Sequence, residues 1–492
     1  MFTSPVQRVL GLLLTIFSLS MLPPIIFSLY FNDGTALVFL ASFVIVAAVG
    51  LLLWFPARYN KQDLRLRDGF LIVAMFWVVL GVFGSAPFML AEDPHLGFTD
   101  AVFESMSGLT TTGATVLSGL DTLPQGILYY RQQLQWFGGL GIIVLAVAVL
   151  PMLGVGGMQL YRAESPGPVK DSKLTPKITK TAKALWYVYL GITVVCCLAY
   201  WGAGMSFFDA LCHSFSTVAI GGFSTHDLSL GWYAENLTVV QSARIELVAI
   251  VFMFLAGINF ALHFLAFRQR GIRHYFSDPE FSAYLRFLII LSAVVVIYLS
   301  ISAPRPEWEF VTALRRGVFQ AISIATTTGF TTDTFSLWPG ALPVILIFAS
   351  FVGGCAGSTA GGMKVVRWLL MYRQGWREFR RLVHPNAEIP VKLGSKAVHP
   401  RVVDAVWGFF AVYVVVFTIL MVVMMMTGLD QVTAFSAVAA TLNNLGPGLG
   451  DVASGFASVS VVGKWAAICA MLLGRLEIFT LLVLVTPMFW RR

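Results

Sequence analysis

Ten apolar stretches of membrane-spanning length run through the chain, at 9–30, 36–56, 69–91, 132–155, 184–204, 240–267, 284–303, 340–372, 402–427 and 465–490. No soluble arrangement hides that much apolar surface. Of 492 residues 57% are hydrophobic and only 12% are charged, which is far outside the range of a water-soluble domain. The expected fold class is an all-α polytopic membrane protein, because a helix satisfies its own backbone in hydrocarbon.

The net charge of +8 is explained by where the basic residues fall. Basic connections occur at "RYNKQDLRLR" (58–67), 159–183, 268–286 and 364–401, each two spans from the last, and with the termini they hold 26 of the 33 Lys and Arg. The positive-inside rule therefore puts both termini and all basic loops in the cytoplasm, and no nucleic-acid partner is needed to explain the charge. The opposite connections carry Glu92, Asp93, Asp121, Asp227, Glu235, Glu307, Glu309 and Asp333, an acidic bias that concentrates cations. The first span follows Arg8 like a signal sequence, but Pro23 and Pro24 interrupt it and no small-residue cleavage site follows, so a retained helix is expected. Cys196, Cys197, Cys212, Cys355 and Cys469 all fall in apolar segments and read as small packing residues.

From residue 69 onward the outer connections contain four related segments: "TDAVFESMSGLTTTGAT", "FDALCHSFSTVAIGGFST", "RGVFQAISIATTTGFTT" and "VTAFSAVAATLNNLGPG". Aligned on Gly113, Gly222, Gly329 and Gly446, they place Ala101, Ala210, Gly317 and Ala434 twelve positions earlier, and Ser107, Ser216, Ser323 and Ala440 six positions earlier. Thirteen before the glycine stand Asp100, Asp209, Arg316 and Thr433. The glycines are 109, 107 and 117 residues apart, so the repeat is span, short half-helix, glycine loop, span.

A half-helix of about ten residues is roughly 15 Å long, half the hydrocarbon thickness. It must stop near mid-depth and return as extended chain, which a membrane tolerates only inside protein or beside a watery path. Four such units around one axis aim four partially negative helix ends at a common cavity, the arrangement of a cation pore. The strands expected to line it are Thr111, Thr112 and Gly113; Ile220, Gly221 and Gly222; Thr327, Thr328 and Gly329; and Asn444, Leu445 and Gly446. Only the glycine is common to all, so backbone oxygens are expected to replace hydration water, with threonine hydroxyls as a further oxygen layer.

With this repeat and with "GGCAGSTAGGMK" at 353–364, nearly the whole chain resembles the Trk/Ktr/HKT superfamily of potassium transporters, most closely its bacterial TrkH members. The resemblance implies two leading helices (1–66) and four pseudo-fourfold helix–pore-loop–helix repeats around one central pore: 67–158, 180–272, 280–382 and 398–492. It implies a potassium filter at the four strands that also passes rubidium and some sodium. The first position is Gly113 here, where a serine in some plant relatives accompanies sodium transport. The fourth strand, "NNLGPG", departs from the threonine pattern. The resemblance further implies the bacterial inner membrane, a homodimer, and cytoplasmic TrkA-type nucleotide-binding regulatory subunits. The chain itself carries no nucleotide site and reads as no enzyme; potassium is the transported ligand.

Gly353, Gly354, Gly357, Gly361 and Gly362 would cost a continuous helix about 1 kcal/mol each, so a break is expected within 340–372, although glycines also serve close helix packing. The resemblance implies that this loop, with Ser358, Thr359 and Lys364, acts as a gate. Arg475 lies mid-span and must face the interior. It is either a pore-facing charge opposing cation flow, as the resemblance implies, or half of an ion pair with an acid on a neighbouring helix, since Glu477 points to another face. Glu246 with Arg244 and Asn259 with His263 read as interhelical hydrogen-bonding groups. The expected function is gated, channel-like potassium uptake. The alternatives are a symporter coupled to protons or sodium, and a membrane enzyme or scaffold in which the repeats only pack. The basic loops 159–183 and 364–401 also suit anionic membrane lipid.

Overall fold

The computed structural model describes residues 4–59, 66–144, 178–269, 271–302, 310–476 and 478–490. Most of the basic connection 159–183, with Glu307, Glu309 and Glu477, lies outside the described residues. The first leading span is two helices, Ser4–Ser18 and Pro23–Phe31, joined by a single 3-10 turn, and the second is Ala36–Ala57. They cross where Gly11 meets Trp54 and Gly50 meets Thr15, each so close that a Cβ would sit 2.5 Å from the neighbour. Asp33 between them accepts a hydrogen bond from the Gly126 N–H (2.7 Å) and so fastens the pair to the first unit.

Each unit has an outer helix, a half-helix and an inner helix. The outer helices are Leu66–Phe83 (continued by Ala86–Leu90), Ile178–Ala203, Pro279–Ser302 and Pro400–Met426. The half-helices are Phe98–Leu109, Phe207–Ala219, Phe310–Ala325 and Gln431–Leu442. At 12, 13, 16 and 12 residues they are about 18–24 Å long, longer than the sequence suggested. The extra turn lies at the outer end, where Phe98, Phe207, Phe310 and Val432 are exposed. Two of their starts carry a side-chain cap: Ser206 accepts from the Asp209 N–H, and Asp430 from the N–H groups of Val432 and Thr433.

Closure of the ring is visible in the packing order. The half-helix of unit 2 packs on the inner helix of unit 1, that of unit 3 on unit 2, that of unit 4 on unit 3, and that of unit 1 on unit 4. The residues in phase in the sequence (Ala101, Ala210, Gly317 and Ala434; Ser107, Ser216, Ser323 and Ala440) are all buried, because helix ends converge there and larger side chains would hold them apart.

The inner helices shorten the list of ten candidate spans beyond the break expected within 340–372. Among the described residues seven helices are long and apolar enough to cross a membrane, and no inner helix except Val239–Ala256 is one of them. That helix ends at 257–259 and restarts as Phe260–Gln269. Unit 3 has Leu342–Ser350 and then, after a loop at 351–364, Val365–Val383. Unit 4 has Val461–Arg475 and then Phe479–Val485. The inner helix of unit 1, Gln125–Val144, begins with a polar run that includes Arg131, Gln132, Gln133 and Gln135. Inner helices can be polar or fully interrupted where protein covers them, whereas the outer helices of units 2 to 4 run unbroken and that of unit 1 is interrupted only at 84–85. Four cysteines are buried as expected, but Cys469 is exposed on the face of Val461–Arg475.

Candidate functional site

The four glycine strands meet. A Cβ on Gly113 would lie 2.1 Å from the Gly221 oxygen, one on Gly222 1.9 Å from the Thr328 oxygen, and one on Gly329 2.1 Å from the Leu445 oxygen. A Cβ on Gly446 would lie 2.8 Å from the Thr112 oxygen, which closes the circle. Each glycine thus abuts the carbonyl of the residue preceding the next glycine. All four also have positive φ, between 78° and 99°, so both space and backbone angle require glycine.

The local fold is the same in each unit. The residue two before the glycine is left-handed: Thr111 (φ 53°), Ile220 (55°), Thr327 (67°) and Asn444 (53°). For β-branched residues that conformation costs about 1–2 kcal/mol, and its fourfold recurrence marks a site where strain is kept for a purpose. The next N–H donates back to the half-helix: Thr112 to Ser107 O, Gly221 to Ser216 O, Thr328 to Ser323 O and Leu445 to Ala440 O, at 2.8–2.9 Å. These amides are spent on the half-helix side, and the carbonyl before each glycine lies against the glycine of the neighbouring strand. Outside them the four glycines line one cavity of about 550 Å³, whose wall includes Asp227, Glu235 and Asp333.

The threonine hydroxyls divide into two roles. Thr112 and Thr328 are each 2.8 Å from the hydroxyl of the threonine two residues earlier, and Thr112 also accepts from the Asn444 amide, so these side chains brace the strands. Thr111 Oγ1 is buried without a hydrogen-bond partner, and it alone of these hydroxyls fits the expected free oxygen layer. Thr327 Oγ1 instead accepts from the Gly361 N–H at 2.7 Å.

That bond begins the contact between strands and loop. Loop 351–364 breaks the inner helix of unit 3 as expected, and its glycines fold it upon itself: a Cβ on Gly353 would lie 2.2 Å from the Gly361 oxygen. Gly362 N–H donates to Asn443 O (3.0 Å) in unit 4. Thr359 donates to Val218 O (3.0 Å) and Ala256 O (3.3 Å) in unit 2, and Cys355 N–H to Gly257 O (2.9 Å). Gly357 O accepts from the Phe260 N–H, and Ser358 caps the turn through Cys355 O (2.6 Å). Gly354 packs against Ala360 and Gly257. Lys364 holds an unfavourable φ of 76° while its Nζ donates to Ala360 O. Ala356 N–H donates to Glu280, anchoring the loop to the outer helix of its own unit.

Arg475 completes the set. It is buried and donates from Nη1 to Thr359 O (3.1 Å) and from Nη2 to Gly138 O (3.0 Å). Its charge is met by carbonyl dipoles of the loop and of unit 1, so the reading of an ion pair with a neighbouring acid is replaced by a clamp on the loop. Glu246 pairs across helices as expected, but with Arg315 on the half-helix of unit 3 (2.5 Å) rather than Arg244. His263 bridges Tyr275 and Leu255 O, whereas Asn259 caps Ala261 N–H within its own segment.

Two supports were missed in the sequence. Arg131 and Glu104, both fully buried, form a 2.7 Å ion pair behind the strands. The pair also ties Thr115, Val116 and Ser224, joining the chain just past the glycines of units 1 and 2. Gln135 brackets the second strand, donating to Gly221 O (2.7 Å) and accepting from Phe223 N–H (3.1 Å). A Cβ on Gly221 would lie 2.3 Å from Gln135, which explains the doubled glycine of "IGGF". The available signal was the polar run "YYRQQLQW" beside an apolar span.

Residues 36–492 match the TrkH family, described as cation transport protein. The chain is 56% identical to "Trk system potassium uptake protein TrkH" of Halomonas elongata and 55% identical to the Vibrio parahaemolyticus protein of that name, covering 99% and 98% of both chains in each pair. The crystal structure of the potassium transporter TrkH from Vibrio parahaemolyticus superposes with a TM-score of 0.89 at 51% identity over the full length of both chains.

Proposed function

This chain belongs to the TrkH family of cation transport proteins, and on that premise we propose that it takes up potassium through a gated, channel-like path along the axis between its four glycine strands. One observation carries the reading: the closed circle of glycine-to-carbonyl contacts from unit 1 through unit 4 and back to unit 1. Potassium, the cargo, gives up hydration water there for peptide oxygens. A membrane potential of 100 mV supplies about 2.3 kcal/mol per charge moved inward, so uptake needs no second ion. None of the twelve strand residues is ionisable, which speaks for channel-like passage over proton coupling.

Loop 353–364 is the gate in this reading. It lies against strands of units 3 and 4 and is bonded to unit 2, and Arg475 pins it to unit 1. Inner-membrane placement with cytoplasmic termini, a second copy of this chain and TrkA-type cytoplasmic subunits belong to the same reading, in keeping with relatives named as parts of a Trk system. The test is rubidium flux in liposomes. The Gly113→Ser, Gly329→Ser double variant is expected to lose potassium over sodium preference, and wild-type flux and preference in that variant would sink the strand assignment.

A further inference from the structure

Below the loop, helix Val365–Val383 starts among buried residues (Val365, Val366, Leu370 and Met371) and then emerges. Its outer part alternates exposed Tyr372, Trp376, Phe379 and Leu382 with Arg373, Arg377 and Arg380. The three arginines are four and three positions apart and share a face. Opposite them lies the hairpin of Lys392–Leu393 and Lys396–Ala397, held by Val391, Leu393 and Val398 packed on Val366, Leu370, Met371 and the start of the unit 4 outer helix. Between helix and hairpin is a cavity of about 420 Å³ lined by Arg373, Arg377, Arg380 and Lys392, with Trp376 and Pro390 among its apolar walls.

The charge there is not neutralised. Glu378 is shared by Arg377 (3.3 Å) and Arg381 (3.6 Å), while Arg373 donates to Lys392 O. The side chains of Arg380 and Lys392 make no hydrogen bond or ion pair among the described residues. Depth identifies the ligand. At 1.5 Å rise per residue, Arg373 to Arg380 lie about 12–23 Å along the axis from Val365. Val365 follows a loop that touches the half-helix ends near mid-membrane, and the hydrocarbon edge is about 15 Å from the midplane. The arginines therefore stand at headgroup level, and the exposed aromatic stripe, interleaved with them at the same depth, lies at the interface between headgroups and acyl chains.

We propose that this cavity binds the phosphate of an anionic phospholipid headgroup. The sequence suggested anionic lipid for the whole of 159–183 and 364–401; within the second, the geometry gathers four cations around one cavity, three on the helix that continues directly from the end of the loop and Lys392 on the hairpin. A free phosphate satisfies the cations but not the exposed aromatic stripe, and the lipid satisfies both.

Native mass spectrometry of the intact protein, offered equal phosphatidylglycerol and phosphatidylcholine, tests this. Wild type is expected to retain phosphatidylglycerol preferentially. Arg380→Gln or Lys392→Gln alone should lower that retention about fivefold, and the Arg373→Gln, Arg380→Gln, Lys392→Gln triple variant should lower it to the phosphatidylcholine level. Arg401→Gln, outside the cavity, should leave it unchanged. Each single variant carries the test should the triple variant fail to run as a monodisperse species. Retention equal in wild type and the single variants overturns the proposal. So does displacement of the lipid by millimolar inorganic phosphate, which would mark a soluble-anion site. Unchanged lipid retention with lost capture of a cytoplasmic nucleotide-binding subunit would also overturn it, making the cavity a protein-docking face.

Discussion

The glycine strands and loop 353–364 lie in contact, yet they are held in opposite ways. The strands repeat one local fold four times, and each is fixed by its neighbour's carbonyl, so the ring has no single removable bond. The loop occurs once, in unit 3, and is tied to the other units by a few separate hydrogen bonds. If the ring is the proposed ion path, it benefits from mutual constraint. The loop, as the proposed gate, benefits from contacts that can be released one at a time, each worth about 1 kcal/mol, or more where a charge is involved.

The sharpest way to break this comparison is at the ring. Gly222→Ala puts a methyl 1.9 Å from the Thr328 oxygen at a φ of 78°. Overpacking of about 1–3 kcal/mol, applied to a closed circle, is expected to reduce rubidium uptake at least about tenfold, as tracer flux in liposomes would record. A variant with normal flux would mean that the ring is not the path.

At the loop the expected change has the opposite sign. Arg475→Gln removes charge-assisted bonds to Thr359 O and Gly138 O, worth about 1.5–3 kcal/mol each. Open probability in single-channel recordings is expected to rise at least about a hundredfold where the closed state dominates, the two bonds together being worth about 3 kcal/mol or more. If conductance per open event changes while open probability does not, Arg475 acts on the ion and not on the loop. Thr359→Val is the milder version: it loses bonds to Val218 O and Ala256 O, and a rise in open probability of about fivefold corresponds to about 1 kcal/mol. A larger effect than that of Arg475→Gln would reverse the ranking of the two contacts.

The smallest effect is expected at the outer mouth, where units 1 and 2 are joined by a titratable contact absent from the ring. Burial opposes charge on His226, but Asp209, 3.8 Å from Nε2, and Asp121, hydrogen bonded to Nδ1, hold its pKa above the ordinary histidine value. A raised folded pKa means stabilisation that is full below about pH 6.5, the unfolded value, and is lost as pH rises through the folded one. Wild type is therefore expected to melt a few degrees lower in alkaline than in mildly acidic buffer, and His226→Gln should flatten that difference. A melting profile of the variant parallel to wild type would assign the pH dependence elsewhere.

Much of this was legible in the chain. The four glycines, the small residues in phase and the helix break at 353–364 follow from periodicity and from what a bilayer forbids. Thirteen positions before the glycines, Asp100, Asp209, Arg316 and Thr433 differ in chemistry. Each nevertheless ties its half-helix to other chain, to Lys464, Thr225, Asp333 and the Asp451 N–H respectively. The end of helix Val239–Ala256 and that of Val461–Arg475 were not legible, since the groups that meet them belong to the distant loop: Cys355 and Gly357 at the first and Thr359 O at Arg475. Arg131 with Glu104 was hidden for a similar reason: 27 positions separate them, and nothing local marks either as a partner.

By itself the sequence determined the setting, the number of units and the residue types at the axis. Those follow from hydration and from backbone sterics, which act on each segment alone. Only the tertiary structure decided which carbonyl each glycine meets, what Arg475 holds and where the arginines of helix Val365–Val383 converge. Such pairings join groups up to hundreds of residues apart, and their energies exist only once the ring has closed.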